Sequence, residues 1–244
     1  VMDKADIRRN QPTVVAKWDA NTAILSGDEM LIESYKLLAK TDCPAFSLVM
    51  STFSETATEV CEGQQYDMDF ETRDNVSLEE YMEMIRLKTA VLLGCAMKIG
   101  ALIGGGNARD TEDLYKYSID LGLAFQLQDD LLDTFGDEKT FGKAIGGDIM
   151  ENKKTYLLIS AMQMANAEQK EELTKWLGDA NAPREQKVAA VKAIFEATGA
   201  KKATEAKMEQ LYEKAMMTLR EMDISAEGKR FFADFGDKLM KRKR

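Results

Sequence analysis

The sequence predicts an all-α fold, a single-domain helical bundle, on three observations. Only 3 prolines occur among 244 residues and the 16 glycines are scattered, against a usual proline share of about 5%. Alanine, leucine, glutamate, lysine and methionine, which lose little on entering a helix, are plentiful. Apolar residues recur at helical spacing almost throughout, with short breaks at Gly, Asn, Asp and Pro. An all-β sandwich is excluded on these grounds, and 45% apolar residues suffice for a core.

Taken in order, the pattern predicts helices over 19–39, 44–68, 77–104, 110–134, 153–178, 183–198, 201–222 and 225–241. Capping residues agree: Ser77 stands before Leu78-Glu79-Glu80, Asn181 precedes Pro183 in a first turn, Gly199 follows a helix and Ser225 opens the last one. The window 90–106 is the most apolar. It carries Lys98 and ends in Gly104-Gly105-Gly106, so it falls short of the roughly 20 residues that cross a bilayer and reads as a buried helix. In the last helix Phe231, Phe235 and Leu239 recur at four-residue steps and are expected to pack on the rest. Met82, Met84, Met97, Met216 and Met217 read as core filler. Residues 134–152, TFGDEKTFGKAIGGDIMEN, differ from everything around them. Glycine-rich and polar between two strong helices, they read as a functional loop.

Charge and composition remove several kinds of function. Lys plus Arg is 33 and Asp plus Glu is 42, a formal charge of −9, which repels nucleic acid and acidic membrane surfaces. There is no histidine, so Ser-His-Asp and Cys-His nucleophiles, His-ligated zinc and a histidine base are excluded together. Chemistry here must use carboxylates, lysines, metals or the substrate itself. Cys43, Cys61 and Cys95 are odd in number, widely spaced and set in apolar helical surroundings, so they read as reduced structural residues of a cytoplasmic protein. The chain opens on Val1-Met2-Asp3, and an N-terminal part of the natural protein is expected ahead of it.

One helix concentrates the chemistry. In residues 122–133, GLAFQLQDDLLD, taking Gln126 as zero puts Asp129, Asp130 and Asp133 at about 300°, 40° and 340° for 100° per residue. These four polar side chains share one stripe, while Leu121, Phe125, Leu127, Leu131 and Leu132 cover the other directions, so the helix should be buried. Three carboxylates on such a stripe repel one another and need cations. Oxygen ligands without His or Cys suit Mg²⁺. A solvated acidic face and a structural calcium site are the other readings of the stripe.

The surroundings of that stripe add to its meaning. Asp129-Asp130-Leu131-Leu132-Asp133 follows Phe125-Gln126 and precedes Gly142-Lys143, Gly147-Asp148-Ile149 and Lys153-Lys154-Thr155. This resembles the second aspartate-rich motif of the trans-prenyltransferases, the polyprenyl synthetase family of farnesyl and geranylgeranyl diphosphate synthases. Met2-Asp3 with Arg8-Arg9 and Pro12-Thr13 is similar to the end of the family's first aspartate-rich motif and its arginine pair. Gly27-Asp28, Gly63-Gln64 with Asp67, and Lys88-Thr89 follow in the family's order, so the resemblance covers the whole chain.

The resemblance implies a helical bundle of the isoprenoid synthase type with a central active-site cavity, 1–244 being its domain without the N-terminal helices. It implies condensation of isopentenyl diphosphate with an allylic diphosphate, dimethylallyl, geranyl or farnesyl, to an all-trans product, expected to be short-chain. Three Mg²⁺ ions are implied, with Mn²⁺ able to substitute, and a homodimer. Asp129 and Asp133 would be metal ligands, Asp130 a ligand directly or through water, and Asp3 the last carboxylate of the first cluster. Lys88, Lys143, Lys153 and Arg8 would hold the allylic diphosphate, Arg9 isopentenyl diphosphate, and Thr89 and Gln126 would lie near the developing cation. The physics agrees: diphosphate departure puts negative charge on oxygen, which Mg²⁺ and lysines stabilise, and positive charge on carbon, which neutral dipoles tolerate. Diphosphate can take the final proton, so histidine is not needed. The glycines of 134–152 would let Lys143 and Lys153 close over the phosphates.

Outside that frame Lys88 and Lys153 read as solvated lysines, Arg8-Arg9 as an exposed basic pair, and Lys241-Arg242-Lys243-Arg244 as a solvated tail. The chain begins at the third position of the first aspartate motif, so two aspartates and the upstream glycine-glycine-lysine-arginine region of the family are expected before Val1. Val15 stands where many members carry histidine, and Asn152 where many carry glycine. A terpene cyclase shares the fold but usually replaces the second aspartate motif by an Asn/Ser/Glu one, and a helical scaffold subunit would have no need of Lys88, Gln126, Asp129, Asp133, Lys143 and Lys153 together.

Overall fold

Helix after helix begins on a side chain that takes up a free backbone N–H, and these caps set the element order. The computed structural model describes residues 1–2, 5–8, 11–136 and 145–241. They fall into two units, Val1–Met50 and Ser51–Arg244.

The first unit opens with a feature the helical periodicity did not signal. Strands β1 (Ile7–Arg8) and β2 (Gln11–Pro12) pair antiparallel, with Ile7 opposite Pro12. Thr13 then caps α1 (Val14–Lys17), accepting from Ala16 N, and Asp19 caps α2 (Ala20–Leu38), accepting from Thr22 N at 2.8 Å. Helix α3 (Phe46–Thr72) begins here and runs into the second unit.

In the second unit α4 (Leu78–Ile85) starts on a full capping box: Ser77 accepts from Glu80 N, and the Glu80 carboxylate accepts from Ser77 N. The predicted helix 77–104 is interrupted by a π-helical segment (Arg86–Ala90) before α5 (Val91–Ile103). Helix α6 (Ala108–Phe135) is the axis of the unit and packs along α5 and along α11 (Ala200–Glu221). Its Leu121, Gly122, Ala124 and Leu127 are buried, as the apolar flanks of the aspartate stripe require.

Two other expectations need correction. The segment 134–152 is not all loop, since α7 (Gly147–Met150) lies within it, entered through Gly146 at φ +79°. The predicted helix 153–178 is two helices, α8 (Tyr156–Met164) capped by Thr155 and α9 (Ala167–Gly178). Asn166 and Gln169 close a capping box onto each other's backbone, and that local bonding competes with helix continuation. Helix α10 (Arg184–Ala197) has Pro183 at its cap position, while Asn181 N donates to Asp179 in the preceding turn.

The last helix, α12 (Ala226–Met240), packs by Phe232, Phe235, Leu239 and Met240, whereas Phe231 is 65% exposed. Steps of three and four from Phe232 keep the side chains on one face, and Tyr117 Oη fixes the register by donating to Phe232 O at 2.7 Å. Met84 is buried and Met82 and Met216 pack on the core, but Met217 is exposed. Of the cysteines, Cys95 alone is buried; Cys61 is exposed and Cys43 lies outside the helices. Among the described residues no helix is long and apolar enough to cross a membrane.

Candidate active site

Two glycines decide where the site forms. A Cβ on Gly63 of α3 would lie 2.3 Å from Lys88 N, and one on Gly122 of α6 would lie 2.8 Å from Ala90 Cα. Residues 86–90 are therefore held between two helix backbones that carry no side chain at the points of contact, Gly63 against the backbone at Lys88 and Gly122 against Ala90. The wide turn, in which Val91 N donates to Arg86 O, inserts one residue and rotates the positions after it by about 100° from the α register. Arg86 is directed to Glu59 and Glu83. Lys88 and Thr89 are turned to the other side, into a cavity of about 230 Å³.

That cavity lies within the second unit. Its polar rim carries Asp67 and Glu71 from α3, Lys88 and Thr89, Gln126, Asp129, Asp130 and Asp133 from α6, Asp148 from α7, and Lys153, Lys154 and Thr155 ahead of α8. Phe70, Met84 and Ile85 give it an apolar wall, with Tyr81 beside them. Six carboxyl groups thus face three ammonium groups.

Side chains from three elements form one hydrogen-bonded chain across it. Tyr81 Oη donates to Asp130 Oδ2, Gln126 Nε2 donates to Asp130 Oδ1 at 3.3 Å, and Thr89 Oγ1 donates to Gln126 Oε1 at 3.2 Å. Asp130 is 4% exposed. Burial, then the charge of Asp148, hold its carboxyl well above the usual range, against the bonds from Tyr81 and Gln126. Burial and the adjacent Asp130 likewise raise the Tyr81 phenol, which keeps its proton and remains a donor.

On the opposite rim Asp148 N donates to Asp133 Oδ2 at 3.0 Å. Burial, then the nearby Asp133, push the Asp148 carboxyl up to about 6, with Lys153 pulling it down. Lys153 Nζ lies 3.3 Å from Asp148 Oδ1 and 3.0 Å from Glu151 Oε2. Burial works against its charge, but these carboxylates more than offset it and the ammonium is held charged. Lys88 Nζ lies 2.6 Å from Asp67 Oδ2.

Seven of the residues singled out in the sequence therefore share this cavity: Lys88, Thr89, Gln126, Asp129, Asp130, Asp133 and Lys153. Asp130 is the buried member of the stripe, while Asp129 and Asp133 are partly open to the cavity rather than buried. Arg8 lies exposed on β1 of the first unit. Asp3, Arg9 and Lys143 lie outside the described residues. Sequence reasoning gave no role to Asp67, Tyr81 and Asp148. Tyr81 falls in the apolar stripe of α4 and reads as core; for Asp148 the available signal was an acid after two glycines, five residues before Lys153.

The donor set fits Mg²⁺ in a particular way. Among the described residues no three acidic or cysteine side chains converge on a single ion position, so these residues by themselves form no all-protein cage. The surplus of carboxylates on the rim matches an ion that takes one or two carboxylates and completes its shell with water and phosphate oxygens.

Comparison with known proteins gives the same frame. The family model Polyprenyl synthetase matches residues 1–197. A geranylgeranyl diphosphate synthase of Methanosarcina mazei is 43% identical over 165 residues, 67% of this chain and 51% of that protein. A short chain isoprenyl diphosphate synthase of Methanothermobacter thermautotrophicus is 38% identical over 201 residues, 82% of this chain and 61% of that protein. The chain thus spans about half to three fifths of the length of these relatives. A crystal structure of a geranylgeranyl pyrophosphate synthase superposes with TM-score 0.93 at 49% identity, over 100% of this chain and 75% of that one. The geranylgeranyl pyrophosphate synthase of Corynebacterium glutamicum, complexed with isoprenyl diphosphate and magnesium, gives 0.88 at 30% identity, over 99% of this chain and 73% of that one. A sequence match running from the first residue to residue 197, repeated by the fold at close superposition, establishes that the chain belongs to the polyprenyl synthetase family.

Proposed function

We propose that the protein is a trans-prenyltransferase that condenses isopentenyl diphosphate with an allylic diphosphate to a short-chain, all-trans polyprenyl diphosphate. The observation that carries this reading is the cavity itself, where a carboxylate-rich rim with three lysines surrounds an apolar wall of Phe70, Met84 and Ile85. A diphosphate matches the rim and a prenyl chain matches the wall. The short-chain product is supported by relatives named geranylgeranyl, geranylfarnesyl and short chain isoprenyl diphosphate synthases.

Asp129 and Asp133 would hold Mg²⁺, three ions being the number that the resemblance implies and Mn²⁺ an able substitute; the metal, when bound, supplies Lewis-acid charge to the diphosphate oxygens. Asp130 has both oxygens engaged by Tyr81 and Gln126, so its part is indirect: it orients the Gln126 amide. That leaves Gln126 Oε1 and the Thr89 hydroxyl as neutral dipoles beside the ionising carbon. Lys88 and Lys153 meet the phosphate oxygens by exchanging their present carboxylate partners, Asp67 and Asp148, for substrate. Arg8, Arg9, Asp3 and Lys143 take the roles implied for them by the motif order. The free cysteines fit the cytoplasm, and the protein is expected to act as a homodimer.

The test is product analysis of the full-length protein with isopentenyl diphosphate and each allylic diphosphate, with Mg²⁺ and with EDTA. Chain-elongated products that vanish in EDTA are expected; undiminished turnover in EDTA would sink the metal mechanism. Cyclic hydrocarbons would make the protein a terpene cyclase, and no product of either kind would leave a scaffold subunit.

A further inference from the structure

Two costly features touch each other just behind the rim of the cavity. Lys187, near the start of α10, is 2% exposed. Burial disfavours its ammonium, and the positive end of the helix dipole disfavours it again. Its amine is accordingly pushed below the ordinary lysine range by burial, with Asp179 opposing. An apolar side chain of similar volume would be less costly there. Instead Lys187 Nζ donates at 2.8 Å to Asn152 Oδ1.

Asn152 is itself exceptional, the one non-glycine residue with positive φ among those described, at +53°. Side chains with a Cβ rarely adopt that region. Asn152 Nδ2 donates at 3.0 Å to Leu177 O at the end of α9. Both ends of one amide are therefore anchored, on α9 and on α10. Neither helix contributes a residue to the cavity wall.

The left-handed residue ends α7 and reverses the chain, so that Lys153 N donates to Asp148 O at 2.9 Å while Lys153 Nζ reaches back to Asp148 Oδ1. Lys153 follows Asn152 directly, and its direction is set by the dihedrals of Asn152. We propose that Lys187 is a positioning residue for diphosphate: it locks the turn at Asn152 and thereby places Lys153 against Asp148, without touching substrate. This rests on the functional reading above.

The experiment titrates the full-length protein with inorganic diphosphate in Mg²⁺ by calorimetry, for wild type, Lys187→Met, Asn152→Gly and the double variant. Lys187→Met is expected to weaken diphosphate binding by about 10-fold with no fall in Tm, because a buried charge is removed, and to speed hydrogen exchange of the amides at 148–155. On the Asn152→Gly background the same change should alter affinity by less than about twofold, since its acceptor is gone. Unchanged affinity in Lys187→Met, equal losses on both backgrounds, or a loss that tracks a lowered Tm or failure to fold would each overturn the inference. A wild type that does not bind diphosphate in Mg²⁺ overturns the functional reading and this inference with it; a wild type that binds beside an unaffected Lys187→Met strikes this inference alone.

Discussion

Burial first, and the neighbouring carboxylates including Asp129 after it, raise the proton affinity of both Asp130 and Asp148, so the negative charges oppose one another inside one cavity. Asp129→Ala should therefore fold, with an apo Tm equal to wild type or higher, while turnover drops by roughly 10² to 10³, the loss typical of one stabiliser of transition-state charge. Thermal melts beside steady-state rates check this, and near-wild-type turnover in a normally melting variant would make the stripe structural. Tyr81→Phe probes the other side of the stripe. It takes one donor from the buried Asp130 and leaves it the Gln126 amide, at a cost of about 1 to 3 kcal/mol. Asp130, which orients the Gln126 amide, is then held from one side only. The expected signature is a lower denaturation midpoint and a reduced kcat, with the affinity for Mg²⁺ and diphosphate held within about twofold because Tyr81 bears no charge. The chemical identity of such residues was legible early, since Gln126, Asp129 and Asp133 stand on one stripe of a helix. Their partners were not: Tyr81 and Asp130 are 49 residues apart, Lys88 and Asp67 21 apart, and no spacing rule relates positions on different helices.

At the scale of elements, the π-helical segment does what an α-helix over 77–104 would not. With one residue inserted, the positions after Ala90 are rotated by about 100° relative to an uninterrupted helix, and Lys88 and Thr89, inside the segment, meet Asp67 and Gln126. Its position depends on close backbone approach at Gly63 and Gly122. Gly63→Ala must displace Lys88 N, which lies 2.3 Å from the new Cβ and, as backbone, has no rotamer to change. A destabilisation of about 1 to 3 kcal/mol is expected, together with a loss of turnover larger than the unfolded fraction explains, because Lys88 and Thr89 move with the backbone. Chemical denaturation and kinetics at a temperature well below Tm separate the two effects, and full activity in a folded variant would show that the close approach has no part in the site.

For the whole molecule the surplus of negative charge in the cavity gives a measurable linkage. Mg²⁺ with inorganic diphosphate at 100 times its Kd should stabilise the fold by about 2.7 kcal/mol, a rise of roughly 5 to 10 °C in Tm for a protein of this size, and diphosphate without metal should give less; scanning calorimetry decides, and no shift would deny the cavity its ligand. The proposed homodimer is testable in the same sample. Helix α2 buries none of its residues, and Leu25, Met30 and Leu37 stand 68%, 71% and 65% exposed, more apolar surface than a helix in water usually shows; light scattering at micromolar concentration should give twice the chain mass. Legible in the residue order alone were the helical class, the caps at Ser77, Gly199 and Ser225, the central buried helix and its acidic stripe, because these follow from local periodicity and from residues that act within a few positions. Only contacts between distant segments fix the π turn at 86–90 and the meeting of Asp67, Tyr81 and Asp148 with the stripe. Those depend on backbones pressed together at glycines and on charges paired across long separations, and the energy of such contacts has no counterpart in the order of residues along one segment.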